Sequence, residues 1–158
     1  MNDIERISAL LEDIVYEARK LPWAAERPWR TKTHIWVEAQ MPTIDLHDLN
    51  VRLAKKVFRA VLKEPENIEA GAVCFVTGIG KNSLGDSPLR NFAIDFLSKR
   101  AYENDWGFHP MGPGRLVLVV DPEKAPASAT GALPRYFWYC VAGFIALFVF
   151  ALLNKILT

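Results

Sequence analysis

The chain reads as a small α/β layer fold with elements in the order βαβαββ, and three observations carry that reading. Short apolar, β-rich runs at Thr43–Leu46, Ala72–Thr77 and Arg115–Val120 alternate with amphipathic helical stretches. Helix-start signals stand where the alternation needs them, at Asp48 or Asn50 and at Ser87-Pro88. A length of 158 residues leaves room for one modest domain once a long apolar run near the end is set aside.

Ile4, Ile7, Leu11, Ile14, Val15 and Ala18 recur at helical spacing, with Asn2 or Asp3 as N-cap, so residues 3–20 are predicted as one amphipathic helix. Residues 21–42 carry Pro22, Pro28, Pro42, Trp23, Trp29 and Trp36. They read as a strap whose aromatics pack on the domain, with a short strand at His34–Glu38. Residues 1–41 thus form a helix and a Trp/Pro-rich strap ahead of a domain at 42–121.

Within that domain Thr43–Leu46 is the first strand and Val51–Lys63 the first helix. Stepping 100° per residue gathers Arg52, Lys55, Lys56, Arg59 and Lys63 within about 100° of arc, opposite Leu53, Ala54, Val57, Phe58, Val61 and Leu62. Ala72–Thr77 reads as a buried central strand, which breaks into the loop Gly78–Asp86. Ser87 caps the second helix, with Leu89, Phe92, Ala93, Phe96 and Leu97 as its core stripe. Trp106–Pro110 is expected as an edge strand, Met111–Gly114 as a tight turn and Arg115–Val120 as the last buried strand.

Residues 122–134, with Pro122, Pro126, Pro134 and Gly131, read as a linker. As a flexible chain it spans about 20 Å. The run Tyr136–Leu153 carries no charge, and as a helix it measures about 27 Å, close to the hydrocarbon thickness of a bilayer. Tyr136, Trp138 and Tyr139 crowd one end, as interfacial aromatics do, and Lys155 can snorkel, so 135–157 is expected as a single-pass transmembrane helix. A buried core helix rarely stays apolar on every face for five turns.

All acidic residues, and all basic ones except Arg135 and Lys155, precede Pro134, so the part before the span is close to neutral. Net charge therefore gives no argument for nucleic acid; only a local patch can. The start, MNDIERISALLEDI, has neither a basic n-region nor an apolar h-region, so it is not read as a secretory signal. The expectation is a tail-anchored membrane protein with its N-terminal domain in the cytoplasm. Cys74 and Cys140 sit far apart in unlike settings and propose neither a disulfide nor a zinc site.

Two motifs fall at the C-terminal ends of neighbouring strands, where α/β folds place ligands. In Asp45-Leu46-His47, period-2 alternation sends carboxylate and imidazole to one face. In Thr77-Gly78-Ile79-Gly80-Lys81-Asn82-Ser83, two glycines allow a close backbone approach to phosphate, with Lys81 beside it. A P-loop would need glycine where Phe75 stands, and a dinucleotide fingerprint where Ser83 stands. Taken singly, the first motif is a cap and a packed histidine, the second a turn, and the basic helix face a solvated surface.

In order and spacing, however, Thr43-Ile44-Asp45-Leu46-His47, Val76-Thr77-Gly78-Ile79-Gly80-Lys81-Asn82-Ser83, Pro88-Leu89-Arg90 and Pro113-Gly114-Arg115-Leu116-Val117 resemble the Smr (small MutS-related) domain. The resemblance covers residues 42–121 and leaves out the first helix, the strap and the span. It implies a two-layer α/β sandwich similar to the C-terminal domain of bacterial translation initiation factor three. It also implies nucleic-acid binding and, in several members, endonuclease activity on DNA or RNA. By position, Asp45 and His47 match the family's L-D-L-H-G segment, and Gly78 and Gly80 its T-G-x-G loop. Asp48 replaces the usual glycine after the histidine, and Thr77 stands where many members have histidine.

Phosphodiester cleavage needs a nucleophile, charge neutralisation at phosphorus and a proton for the leaving oxygen. On this reading Asp45, helped by Asp48, holds Mg²⁺ or Mn²⁺, and His47 moves the proton. Thr77, Gly78, Gly80, Lys81 and Ser83 hold phosphates, and Arg52, Lys55, Lys56, Arg59 and Arg90 form a sequence-independent track. The second class of function is an anchored Smr-fold adaptor without catalysis. Near-neutral charge and Asp48 favour the adaptor; Asp45, His47 and the T-G-x-G loop favour the nuclease.

Overall fold

The structure, a computed structural model, describes residues 2–78, 87–112 and 114–130. The expected transmembrane helix at 135–157 lies outside the described residues, among which no helix is long and apolar enough to cross a membrane.

The expected single N-terminal helix is two: α1 (Asp3–Leu10) and α2 (Glu12–Ala18). Asn2 caps α1 in a reciprocal capping box with Glu5. The break falls at Leu11, whose N–H is shared between the carbonyls of Ile7 and Ser8. That tightening leaves the Leu11 side chain fully buried.

The strap leads through α3 (Thr31–His34) into β1 (Ile35–Glu38). A two-residue turn, with Ala39 and Gln40 both at positive φ, joins β1 to β2 (Met41–Asp45). Asn50, not Asp48, caps α4 (Val51–Val61) by accepting from Leu53 N–H at 2.9 Å. Then come β3 (Ala72–Val76), α5 (Pro88–Asn104) with Ser87 as its cap, β4 (Gly107–Pro110) and β5 (Arg115–Val119).

The five strands form one mixed sheet in the order β1-β2-β3-β5-β4, with β2 and β3 parallel and the other pairs antiparallel. The fold is therefore mixed α/β, and the short strand expected at His34–Glu38 joins the sheet as β1. Period-2 alternation gives the sheet two different faces. The row Ile35, Ile44, Phe75, Leu116 enters the main core with Ile7, Leu11, Leu53, Phe58 and Leu97 of the helices. Phe58 anchors it, edge-on to Phe75 at 4.8 Å and stacked on Phe96 at 5.4 Å. Such aromatic pairs add about 0.5–1.5 kcal/mol beyond area burial.

Met41, Ala72, Cys74, Val117 and Val119 point to the other face, where Ala125 and Ala129 pack on them. Part of the expected linker is thus structured. Residues 121–130 make a turn, in which the Asp121 carboxylate accepts from Glu123 N–H, and then α6 (Ala127–Thr130). The small side chain of Ala129 allows close approach, and Ser128 Oγ donates to the Ala39 carbonyl at 3.1 Å.

Candidate nucleic-acid interface

The parallel pairing of β2 and β3 sets both motifs at one edge of the sheet, with Asp45 in register with Val76. The strand β2 ends at Asp45, yet Leu46 N–H still donates to the Val76 carbonyl at 2.8 Å. The chain then turns so that Asp45 Oδ1 meets both the Nδ1 of His47, at 2.6 Å, and its backbone N–H, at 3.1 Å. The imidazole is half-exposed while the Asp45 side chain is mostly covered. Gly78 closes the site: at φ +72°, a Cβ there would lie 3.8 Å from that of His47.

Asp48 does not cap α4. It is buried, with Oδ2 3.4 Å from His47 Nε2 and 3.5 Å from His34 Nε2. His34, which carries no signal in the sequence beyond being a histidine in a Trp/Pro-rich strap, reaches the site because Trp29 and Trp23 pin the strap beneath the motif. Trp29 Nε1 donates to the Asp45 carbonyl at 2.7 Å and Trp23 Nε1 to that of Asp48 at 2.9 Å. The Trp29 ring lies tilted against that of His34 at 5.6 Å.

Thr77 is not available to phosphate. It is buried and its hydroxyl donates to the Gly114 carbonyl at 3.3 Å, so it supports the loop from beneath. Gly80, Lys81 and Ser83 lie outside the described residues. Arg115 begins β5 beside Val76, and its positive charge reaches Asp45. Its guanidinium is bound by Glu38, which lowers the Glu38 carboxyl below the ordinary range and raises Arg115 in turn.

The basic residues of the expected track part company. Lys55 lies 4.7 Å over the Phe92 ring, and Phe58 touches both Phe92 and Phe96, so α4 and α5 run parallel. Their N-terminal ends, positive by the backbone dipole, therefore share an end of the fold. Since α4 directly follows β2, that end is the motif end. Arg90 and Lys55 sit near it, whereas Arg59 lies about 13 Å along α4 from Asn50. Arg52 and Lys56 are both engaged by Glu17 of α2, and the Lys56 hydrogen bond above all lowers the Glu17 carboxyl.

Among the described residues the donor set does not fit the expected Mg²⁺ or Mn²⁺. A hard cation wants several free oxygens. Here Asp45 Oδ1 is taken by His47, and Asp48 Oδ2, the neighbouring carboxylate oxygen, is buried between two imidazole rings. Among the described residues no group of three or more His, Cys, Asp or Glu is arranged to hold a metal ion. What the arrangement offers is an exposed imidazole oriented by a carboxylate, at the end of the fold where α4 and α5 begin.

No family model and no curated protein matches the sequence. Among solved structures, the solution structure of the B3BP Smr domain aligns at 18% identity with a TM-score of 0.39, covering 75% of this chain and 98% of that one. A match this loose assigns no activity to the chain.

Proposed function

We propose that this chain binds nucleic acid by its phosphate backbone and cleaves it at the Asp45–His47 pair, while the apolar segment Tyr136–Leu157 tethers it to a lipid bilayer. One observation carries the reading: a half-exposed imidazole, held by a carboxylate at 2.6 Å, stands beside Gly78 at the ends of two parallel strands. The order of the Smr-like motifs supports the same reading.

Asp45 accepts from His47 Nδ1–H, which fixes the ring and leaves Nε2 to exchange the proton with substrate. In RNA, Nε2 takes the proton of the 2′-hydroxyl, that oxygen bonds to phosphorus, and the bond to the 5′-oxygen breaks as that oxygen takes a proton from water, leaving a 2′,3′-cyclic phosphate and a 5′-hydroxyl. This chemistry needs no donor that the site lacks, and it makes RNA the favoured substrate. Lys55, Arg90 and the N-termini of α4 and α5 supply the positive field for the phosphates.

The adaptor reading has one observation in its favour: Glu17 engages Arg52 and Lys56, two of the cations the track would use, and offsets one of their two charges. The deciding experiment mixes full-length protein in detergent micelles with labelled single- and double-stranded RNA and DNA, with and without Mg²⁺ or Mn²⁺. Cleavage of RNA, lost in Asp45→Ala/His47→Ala, is the expected result. Binding without cleavage removes the catalytic half of the reading, and no salt-sensitive binding leaves the adaptor. Resistance of the full chain to alkaline extraction from membranes tests the tether.

A further inference from the structure

We propose that His34 is a positioning residue for His47 and acts through Asp48; this rests on the reading of His47 as the proton-transfer group. Four side chains from two segments line up in space as Asp45, His47, Asp48 and His34. His47 Nδ1 meets Asp45 at 2.6 Å, His47 Nε2 meets Asp48 Oδ2 at 3.4 Å, and the same oxygen lies 3.5 Å from His34 Nε2. The two rings are 6.0 Å apart. His47 is exposed, whereas His34 and Asp48 are both more than nine-tenths buried. A buried carboxylate without donors is costly, so Asp48 is held in place by whatever donates to it.

The backbone decides which nitrogen of His34 donates. Arg30 N–H donates to His34 Nδ1 at 3.1 Å, and the Thr33 hydroxyl lies 2.8 Å from the same atom. Accepting there leaves the ring proton on Nε2, directed at Asp48. The opposite tautomer would satisfy the Arg30 carbonyl, 3.0 Å from Nδ1, but, with His47 donating to Asp45 through Nδ1–H, it would leave the buried Asp48 carboxylate facing two bare ring nitrogens. His34 thus sets its Nε2–H toward the Asp48 carboxylate at 3.5 Å, a polar contact that favours its position, and Asp48 in turn limits how the His47 ring can swing away from Asp45. Outside these four, Arg115 brings positive charge within reach of Asp45.

The strap is therefore part of the site and not only packing. That separates His34 from Trp23 and Trp29, which grip backbone carbonyls. A glutamine at position 34 can still donate an amide N–H to Asp48, while a leucine fills space without donating.

The test compares His34→Leu, His34→Gln, Asp48→Asn and the His34→Leu/Asp48→Asn double variant in the full-length protein. With RNA as substrate, His34→Leu is expected to lower kcat about 10- to 100-fold, the range for groups that orient an active side chain, with KM unchanged. His34→Gln restores most of it. On an Asp48→Asn background, where no buried charge remains to threaten folding, His34→Leu adds nothing further. Ring nitrogen NMR without substrate gives a second reading: His34 shows the Nε2–H tautomer, and His34→Leu alters the His47 ring signals.

Leucine and glutamine behaving alike, a further loss on the Asp48→Asn background, or unaltered His47 signals would each overturn the proposal. The NMR arm decides even if the wild type cleaves nothing. In that case the nuclease reading fails while the coupling of His34 to His47 stands or falls by itself.

Discussion

Trp29 Nε1 donates to the carbonyl of Asp45 over 2.7 Å, so the strap is bonded to the backbone of the very residue that orients His47. Trp29 is also among the largest fully buried side chains. Its two roles separate by substitution. Trp29→Phe keeps most of the volume and loses the hydrogen bond, an expected cost of about 1 kcal/mol. Trp29→Ala also opens a cavity, for about 3–5 kcal/mol. Urea unfolding of the full chain followed by circular dichroism measures both, and equal costs would refute the separation.

Gly78 and Gly114 both sit at positive φ, but they meet different surroundings. A Cβ on Gly114 would lie 2.8 Å from the carbonyl carbon and oxygen of Gly78, and backbone cannot step aside as a flexible side chain can. A Cβ on Gly78 meets only ordinary contact with His47. Gly78→Ala is expected to cost about 1–2 kcal/mol, from the left-handed backbone alone. Gly114→Ala should cost clearly more and disturb the Thr77 hydroxyl contact as well. Thermal melts of the two variants side by side check the order.

Glu17 sets the charge of α4 as a partner would see it. Glu17→Gln removes the carboxylate shared by Arg52 and Lys56 at little cost, since the pairs are largely exposed. If α4 tracks phosphates, RNA binding should tighten about three- to tenfold at low salt and its salt dependence should steepen. Filter binding across a salt series reads this. Unchanged affinity would take Arg52 and Lys56 out of the interface.

The Glu38–Arg115 pair predicts a pH dependence. Arg115 donating to Glu38 lowers its carboxyl below the ordinary value, against a smaller opposing effect of burial. A carboxyl lower in the folded than in the unfolded chain stabilises fully above the unfolded value, about 4.3. That contribution disappears as pH falls through the lowered value. Glu38→Gln should therefore flatten the fall of Tm with pH below about 4. A melting series from pH 3 to pH 7 checks it, and parallel acid limbs would count against the pair.

The central strands, both capped helices and the meeting of Asp45 with His47 were legible because each rests on a local pattern: alternation, a cap residue, a two-residue step. The break at Leu11 was not, since the 3.6-residue pattern runs on unbroken through it and only packing against α4 and the sheet requires the turn. Ala127–Thr130 looked like linker because small residues and prolines signal loops. Here the same small residues allow close packing on Cys74 and Val117. Asp48 looked like a cap for the helix that Asn50 caps, and nothing local distinguishes the two. His34 was out of reach for another reason: Asp48 and His47 lie more than a dozen residues away from it, and no period in the chain joins them.

The parallel join of β2 and β3 has a kinetic consequence. The β1–β2 and β4–β5 hairpins close short loops and can form early. The join of β2 to β3 must await the α4 crossover, with its larger loop-closure entropy. Asp45 and Gly78 lie on opposite sides of that join. The chain can therefore hold much of its secondary structure before it owns a site, and the site comes together in one late step, when β2 meets β3.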